Sequence, residues 1–224
     1  VALLSAILVI LYVSTTESVF NWIDNTEIRK RLVKDSFPLV LSGIAVLVFN
    51  RIDQVMLKHF IDDYAVGQYS AAVAVTGIIS FVPVVLAESF APTLVSFKNK
   101  GFAKYKQVRQ SFSNLMTWGS LFLSIIVMLL SSVIINILYG SDYFPAITVM
   151  KVFAFKGFFV AIGAVAAQIM IVEAVHQLAY IKSIVGGILN VVLNYFLILK
   201  MGIMGAVWAS LAAFFVSSYL VHFF

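Results

Sequence analysis

Residues 36–60 read SFPLVLSGIAVLVFNRIDQVMLKHF, and the reading of this stretch decides the class of fold. Its length and apolarity suit a membrane-spanning helix, because about 20 apolar residues cross a hydrocarbon core of about 30 Å. Its second half nevertheless carries Asn50, Arg51, Asp53, Gln54 and Lys58. On a helix advancing about 100° per residue, these five fall within an arc of about 160°, with Ile52, Val55 and Met56 opposite. Ser36 and Gly43 extend the polar side backwards as a groove of small residues. An ionised side chain at mid-membrane is unfavourable by about 2.5–3.5 kcal/mol even on a lenient insertion scale, so this side is expected to face protein or a water-filled cavity. The stretch reads as the wall of a pathway. Ser36 and Pro38 suit its first turn, where a missing backbone N–H matters little.

Outward from this stretch, the composition agrees. Hydrophobic residues make up 62% of the chain and charged ones only 11%, far from a soluble domain, in which about a quarter of residues are charged. The expected class is an all-α polytopic membrane protein. Aromatic residues, 20 of them Phe, suit lipid contact and interfacial anchoring. The absence of Cys excludes disulfides and thiolate metal sites. The net charge of +5 resides mostly in short loops between apolar runs, which sets orientation in a membrane and does not build a nucleic-acid-binding face.

In chain order, residues 1–13 are apolar but short for a span and read as the end of a truncated helix. Residues 14–35 form a cytoplasmic linker whose Val19, Phe20, Trp22 and Ile23 are spaced for a short interfacial helix. Residues 36–224 then hold six spans, at about 36–60, 66–88, 113–138, 146–172, 180–199 and 203–224. Pro83 and Pro92 bracket Glu88 and suggest a flexible point near the end of the second span. Segments 14–35, 96–110 and 173–182 hold 4, 5 and 1 Lys or Arg, against 1, 0 and 1 in segments 58–65, 139–146 and 199–203. The first set is therefore cytoplasmic. Val1 opens inside an apolar run, so the expectation is the later part of a longer protein, helices six to twelve of at least twelve.

Three basic residues, Arg51, Lys151 and Lys156, lie within spans. Lys156 falls near the midplane, about 16 Å along its helix from Pro145. Asn190 and Asn194 stand one turn apart on the fifth span, suited either to interhelical hydrogen bonds or to a ligand. Glu88 is expected at the cytoplasmic interface. The sequence shows no GxSxG, no HExxH, no phosphate-binding loop and no Cys/His cluster. It therefore gives no reason to expect an enzyme, a metal centre, a cofactor or ATP-driven transport.

The run RIDQVML (51–57), followed by Ala65, Val66, Gly67, Gln68, Tyr69, Ser70, Ala71 and Ala72, resembles the start of the second lobe in bacterial polysaccharide-repeat-unit (O-antigen) flippases of the Wzx type. These belong to the multidrug/oligosaccharidyl-lipid/polysaccharide exporter superfamily. YGSDYFPA (139–146) and NVVLNYFLILKMGIMGAVWASL (190–211) are also similar to that family. The resemblance implies the second six-helix lobe of a two-lobe exporter in the bacterial inner membrane, with the N-terminal lobe absent from this chain. It further implies transfer of an undecaprenyl-diphosphate-linked oligosaccharide between leaflets for lipopolysaccharide synthesis, with polysaccharide polymerase machinery as a partner.

Residue chemistry fits such a substrate. The planar fork of Arg51 suits a phosphate or acidic sugar, Lys151 and Lys156 offer mobile point charges, and Asn50, Gln54, Asn190 and Asn194 offer partners for hydroxyls. Asp53 can balance a lysine on a neighbouring helix or carry a coupling proton or sodium ion. Three alternatives stand beside this: a cation-coupled multidrug exporter, expected to have a carboxylate-dominated cavity; a membrane-embedded glycosyl-transfer enzyme, which needs a long outer loop; and a purely structural membrane protein, which needs no interior cations.

Overall fold

The computed structural model describes residues 26–173 and 176–219, and no strand occurs among them. The elements in order are α1 (Thr26–Phe60), α2 (Asp63–Asn99), α3 (Phe102–Tyr139), a 3-10 turn (Ser141–Tyr143), α4 (Phe144–Phe153), α5 (Lys156–Glu173), α6 (His176–Met201) and α7 (Ile203–Tyr219). Helices α2, α3 and α5 and residues Lys182–Met201 of α6 are each long and apolar enough to cross a membrane. The chain is an all-α polytopic membrane protein.

Two compact units are present, Val1–Leu41 and Ser42–Phe224. Of the first, the described part is residues 26–41, which are helical. Helicity therefore already holds at Thr26, where a linker is expected up to residue 35. The apolar run 1–13 and the interfacial helix around Val19–Ile23 lie outside the described residues, as do residues 220–224 of the sixth span.

Within the second unit, local chemistry sets the helix ends. Asp62 caps α2, its Oδ1 accepting the backbone N–H of Ala65 at 2.7 Å. Gly140 ends α3 at φ +82°, where a side chain would be strained, and its N–H reaches the Asn136 carbonyl at 3.2 Å. Pro83 and Pro92 lie inside a continuous α2, so the break in this unit falls elsewhere than the expected flexible point.

That break interrupts the fourth span, which the sequence presents as one helix. At Ala154 and Phe155 the chain leaves α4 and restarts as α5. The N–H groups of Phe155 and Gly157 turn to the carbonyls of Val152 and Ala154, both at 3.3 Å, so the helical donors to Lys151 and Phe153 are diverted. No proline stands there; Gly157 packs closely, and a Cβ on it would sit 3.4 Å from Ser80 Oγ.

The core gathers Leu57 from α1, Tyr69 and Val75 from α2, Ile135 from α3, Met150 and Phe153 from α4 and Val207 from α7. α2 packs on α3, α4 and α5, while α7 packs on α4, α5 and α6. A second cluster joins Ala87, Phe112, Met116, Ala161 and Val165, with the Phe90 ring stacked on Phe112 at 4.1 Å. Lys98, Tyr105 and Arg109 then tie α2 and α3 to the end of α5, bonding the Val172 carbonyl and Glu173 Oε1. The turn from α6 to α7 is tighter still: Gly202 adopts φ +60° and Gly205 lies against the Leu197 carbonyl.

Candidate functional site

Asp53 is the pivot of the second unit. At 5% exposure it is turned into protein, whereas Asn50 and Arg51, on the same expected polar arc, are exposed. The single wet face read from the sequence is therefore split. Asp53 and Leu57, about 40° apart on the helix wheel, point inward together, and Lys58 turns outward to pair with Asp63 at 2.9 Å.

A buried carboxylate is tolerated only when hydrogen-bonded, and three other helices supply the donors. From α2, Tyr69 donates its hydroxyl to Asp53 Oδ2 at 2.5 Å. From α7, Ser210 donates to the same oxygen at 2.8 Å. From α6, Asn194 Nδ2 approaches Oδ1 at 3.4 Å and donates to Asn190 Oδ1 at 3.0 Å. Asn190 Nδ2 closes the ring on Ser210 Oγ at 3.3 Å. Asn190 is 1% exposed and Asn194 0%.

One lone-pair group in this ring is unused. The Oδ1 of Asn194 is buried with no hydrogen-bond partner. It lies across the amide from the Nδ2 that faces Asp53 and Asn190. Among the described residues there is no group of three or more His, Cys, Asp or Glu placed to hold a metal ion.

Lys156 stands beside the network. Half-buried at the start of α5, its ammonium lies 5.0 Å from the Phe153 ring centroid and 4.8 Å from that of Phe214. It is close enough to interact electrostatically with both Asp53 and Arg51. The lysine partner expected for Asp53 is thus in reach without a direct ion pair. Arg51 itself donates to Gln54 Oε1 at 3.2 Å.

Of the candidate residues, Asp53, Asn190 and Asn194 come together, with Arg51 and Lys156 at the edge. Gln54 is half-buried beside Arg51; Asn50 and Glu88 are exposed and stand outside the ring. Lys151 is also exposed and lines a groove elsewhere. Tyr69 and Ser210 were not among the candidates. The available signal was a lone phenol amid the small residues of the second span, together with a hydroxyl one span beyond two asparagines. Tyr69→Phe removes the shortest of these bonds and is expected to lower stability by about 1–3 kcal/mol, read by chemical unfolding in detergent.

A membrane-embedded helical lobe with a buried, hydrogen-bonded carboxylate defines the class as a polytopic membrane protein with a polar site in its interior. Comparisons with known proteins narrow this. Residues 1–98 match a family described as polysaccharide biosynthesis protein. A protein of Haloferax volcanii named as a probable low-salt glycan biosynthesis flippase is 27% identical over 188 residues, 81% of this chain and 39% of the relative. The chain thus spans about two fifths of the length of that relative. Both matches support a similarity of polysaccharide-flippase type, and neither singles out O-antigen flippases. No solved structure matches.

Proposed function

We propose that this chain forms the second, six-helix lobe of a transporter that moves a lipid-linked oligosaccharide across a membrane, driven by a monovalent cation bound at Asp53. The substrate class is supported by the two sequence matches. The coupling is supported by one observation above others, the burial of the Asp53 carboxylate in a ring of polar side chains from three other helices. A cation bound to the carboxylate would draw on the hydroxyl oxygens of Tyr69 and Ser210 beside it. The finer version, an undecaprenyl-diphosphate-linked O-antigen repeat unit carried across a bacterial inner membrane by alternating access, rests on the resemblance around RIDQ.

The geometry suggests how binding couples to transport. The Lys156 ammonium rests against the Phe153 and Phe214 rings, within electrostatic range of the Asp53 carboxylate. A cation at Asp53 would offset the carboxylate's attraction for Lys156 and leave that ammonium to an anionic headgroup, so that ion and phosphate favour the same state. Arg51, exposed beside it, adds a planar fork for a diphosphate.

Cells lacking the intact protein and complemented with Arg51→Ala or Lys156→Ala are expected to lose surface glycan and accumulate its lipid-linked precursor, with membrane insertion unchanged. Normal surface glycan in both variants would retire these two cations as substrate ligands.

A further inference from the structure

Three interruptions meet at one level of the second unit, and a small cavity lies between them. On α2, Pro83 has no N–H to give the Ile79 carbonyl. On the fourth span, the break diverts the Gly157 N–H from the Phe153 carbonyl to that of Ala154. Opposite both, α3 presents Ser120 and Ser124 near its middle. Ile79, Pro83, Ala154 and Gly157 line the cavity with these serines, and it has about 10 Å³ of room for water, close to what one molecule needs.

The polar lining is rich in acceptors and poor in donors. Thr76 gives its hydroxyl proton to the Ala72 and Val73 carbonyls, Ser80 to that of Thr76, and Ser120 to that of Thr117. These three hydroxyls therefore offer the cavity lone pairs only, at the level of two carbonyls that lost their helical donors. Among the described residues none bonds the Ser124 hydroxyl, which is 3% exposed. A water molecule supplies two donors to such a lining and accepts from Ser124. An ion fits less well, because no charged side chain lines the cavity to balance it.

The same level divides the core. On α2 the cavity residues fall between Val75 of one apolar cluster and Ala87 of the other; on α3, Ser120 and Ser124 fall between Met116 and Val127; on the fourth span, Gly157 falls between Phe153 and Ala161. We propose that one resident water bridges α2, α3 and α5 in this cavity and makes this level a hinge, about which the half of the unit around Tyr69 and Ile135 tilts against the half around Ala87 and Phe112. Each close-packed cluster moves as a body, whereas hydroxyls bridged by water exchange partners readily. A span already broken at Ala154 and Phe155 gives up no further helical bond in bending there. The inference rests on packing and hydrogen bonding alone and is independent of what the protein carries.

The test has two readouts on the intact purified protein. In X-ray hydroxyl-radical footprinting, a bound water oxidises the side chains around it, and mass spectrometry locates the products. Ile79 and Leu123, which line the cavity, are expected to label well above Leu129, an exposed residue in the apolar part of α3 that detergent covers. Gly157→Ala places a methyl 3.4 and 3.8 Å from the Ser80 and Ser124 oxygens and should reduce their labelling to the level of Leu129. Bending is read from electron-resonance distances between spin labels on Phe144→Cys and Ile171→Cys, exposed sites near opposite ends of the fourth span; this chain has no Cys of its own, and thiols elsewhere in the intact protein are removed. The distance distribution is expected to be broad with Gly157 in place and narrow in Gly157→Ala. Ser124→Val fills the cavity from α3 without altering helix propensity at the break, so it should act alike, and it carries the test if Gly157→Ala does not melt cooperatively. Labelling of Ile79 and Leu123 no higher than that of Leu129 would overturn the water, and equal distribution widths with the cavity open and filled would overturn the hinge.

Discussion

Asp53→Asn is expected to leave the lobe folded and to lower ion-driven transport by about 5–150-fold, the range that a coupling free energy of 1–3 kcal/mol produces. The two effects separate for a physical reason. The amide has the shape of the carboxylate, and its oxygen still accepts from Tyr69 and Ser210, which now reach Asp53 at 2.5 and 2.8 Å. Its new N–H group faces Asn194 Nδ2, which lies 3.4 Å from Asp53 Oδ1, so the Asn194 amide must turn over to offer its unpartnered oxygen, giving up its bond to Asn190. Removing a buried charge while keeping its hydrogen bonds is often neutral or stabilising, by about 1–4 kcal/mol. Asp53→Ala behaves differently, because it strands Tyr69, Ser210 and Asn194 and is expected to destabilise by about 1–3 kcal/mol for each donor left unpaired. Thermal unfolding in detergent beside a transport assay distinguishes the pair. A protein that loses activity only in proportion to stability would assign the ring a structural role.

Gly205→Ala is expected to produce the largest loss of stability from any single methyl group in the second unit. A Cβ on Gly205 would lie 2.1 Å from the Leu197 carbonyl oxygen and 2.7 Å from the Ile198 nitrogen, contacts with backbone that cannot rotate away. Overpacking of this kind costs about 1–3 kcal/mol, and relief here requires the start of α7 to withdraw from the end of α6. That shift also draws Ser210 from Asp53, so activity should fall with stability. Gly187→Ala is the matched control: nothing lies within 4 Å of its Cβ position, and gaining Ala within a helix favours it by about 1 kcal/mol. Equal melting temperatures for the two variants would contradict the close approach.

The fold class was legible because a membrane permits little else to a chain this apolar. Helix ends were legible where they carry local chemistry, as at Asp62 and Gly140. The break at Ala154 and Phe155 was not, because neither residue breaks a helix intrinsically; the interruption arises from tertiary packing. The site was legible in its rarest members. Asp53, Asn190 and Asn194 stand out against apolar neighbours, but periodicity alone placed Asp53 on the same face as Arg51 and Lys58, and only the positions of α2, α6 and α7 turn it inward. Tyr69 and Ser210 resemble ordinary interfacial or packing residues until a carboxylate is found between them. Lys151 and Lys156 read alike in the sequence, five residues apart, yet the break sends one to an aromatic groove and the other toward Asp53.

Sodium binding to the purified intact protein, measured with radiolabelled sodium and repeated on Asp53→Asn, tests the coupling most directly. The account predicts saturable binding of one ion per protein that disappears in the variant, while both proteins melt at similar temperatures. Undiminished binding to Asp53→Asn, or no saturable binding to the unsubstituted protein, would contradict it.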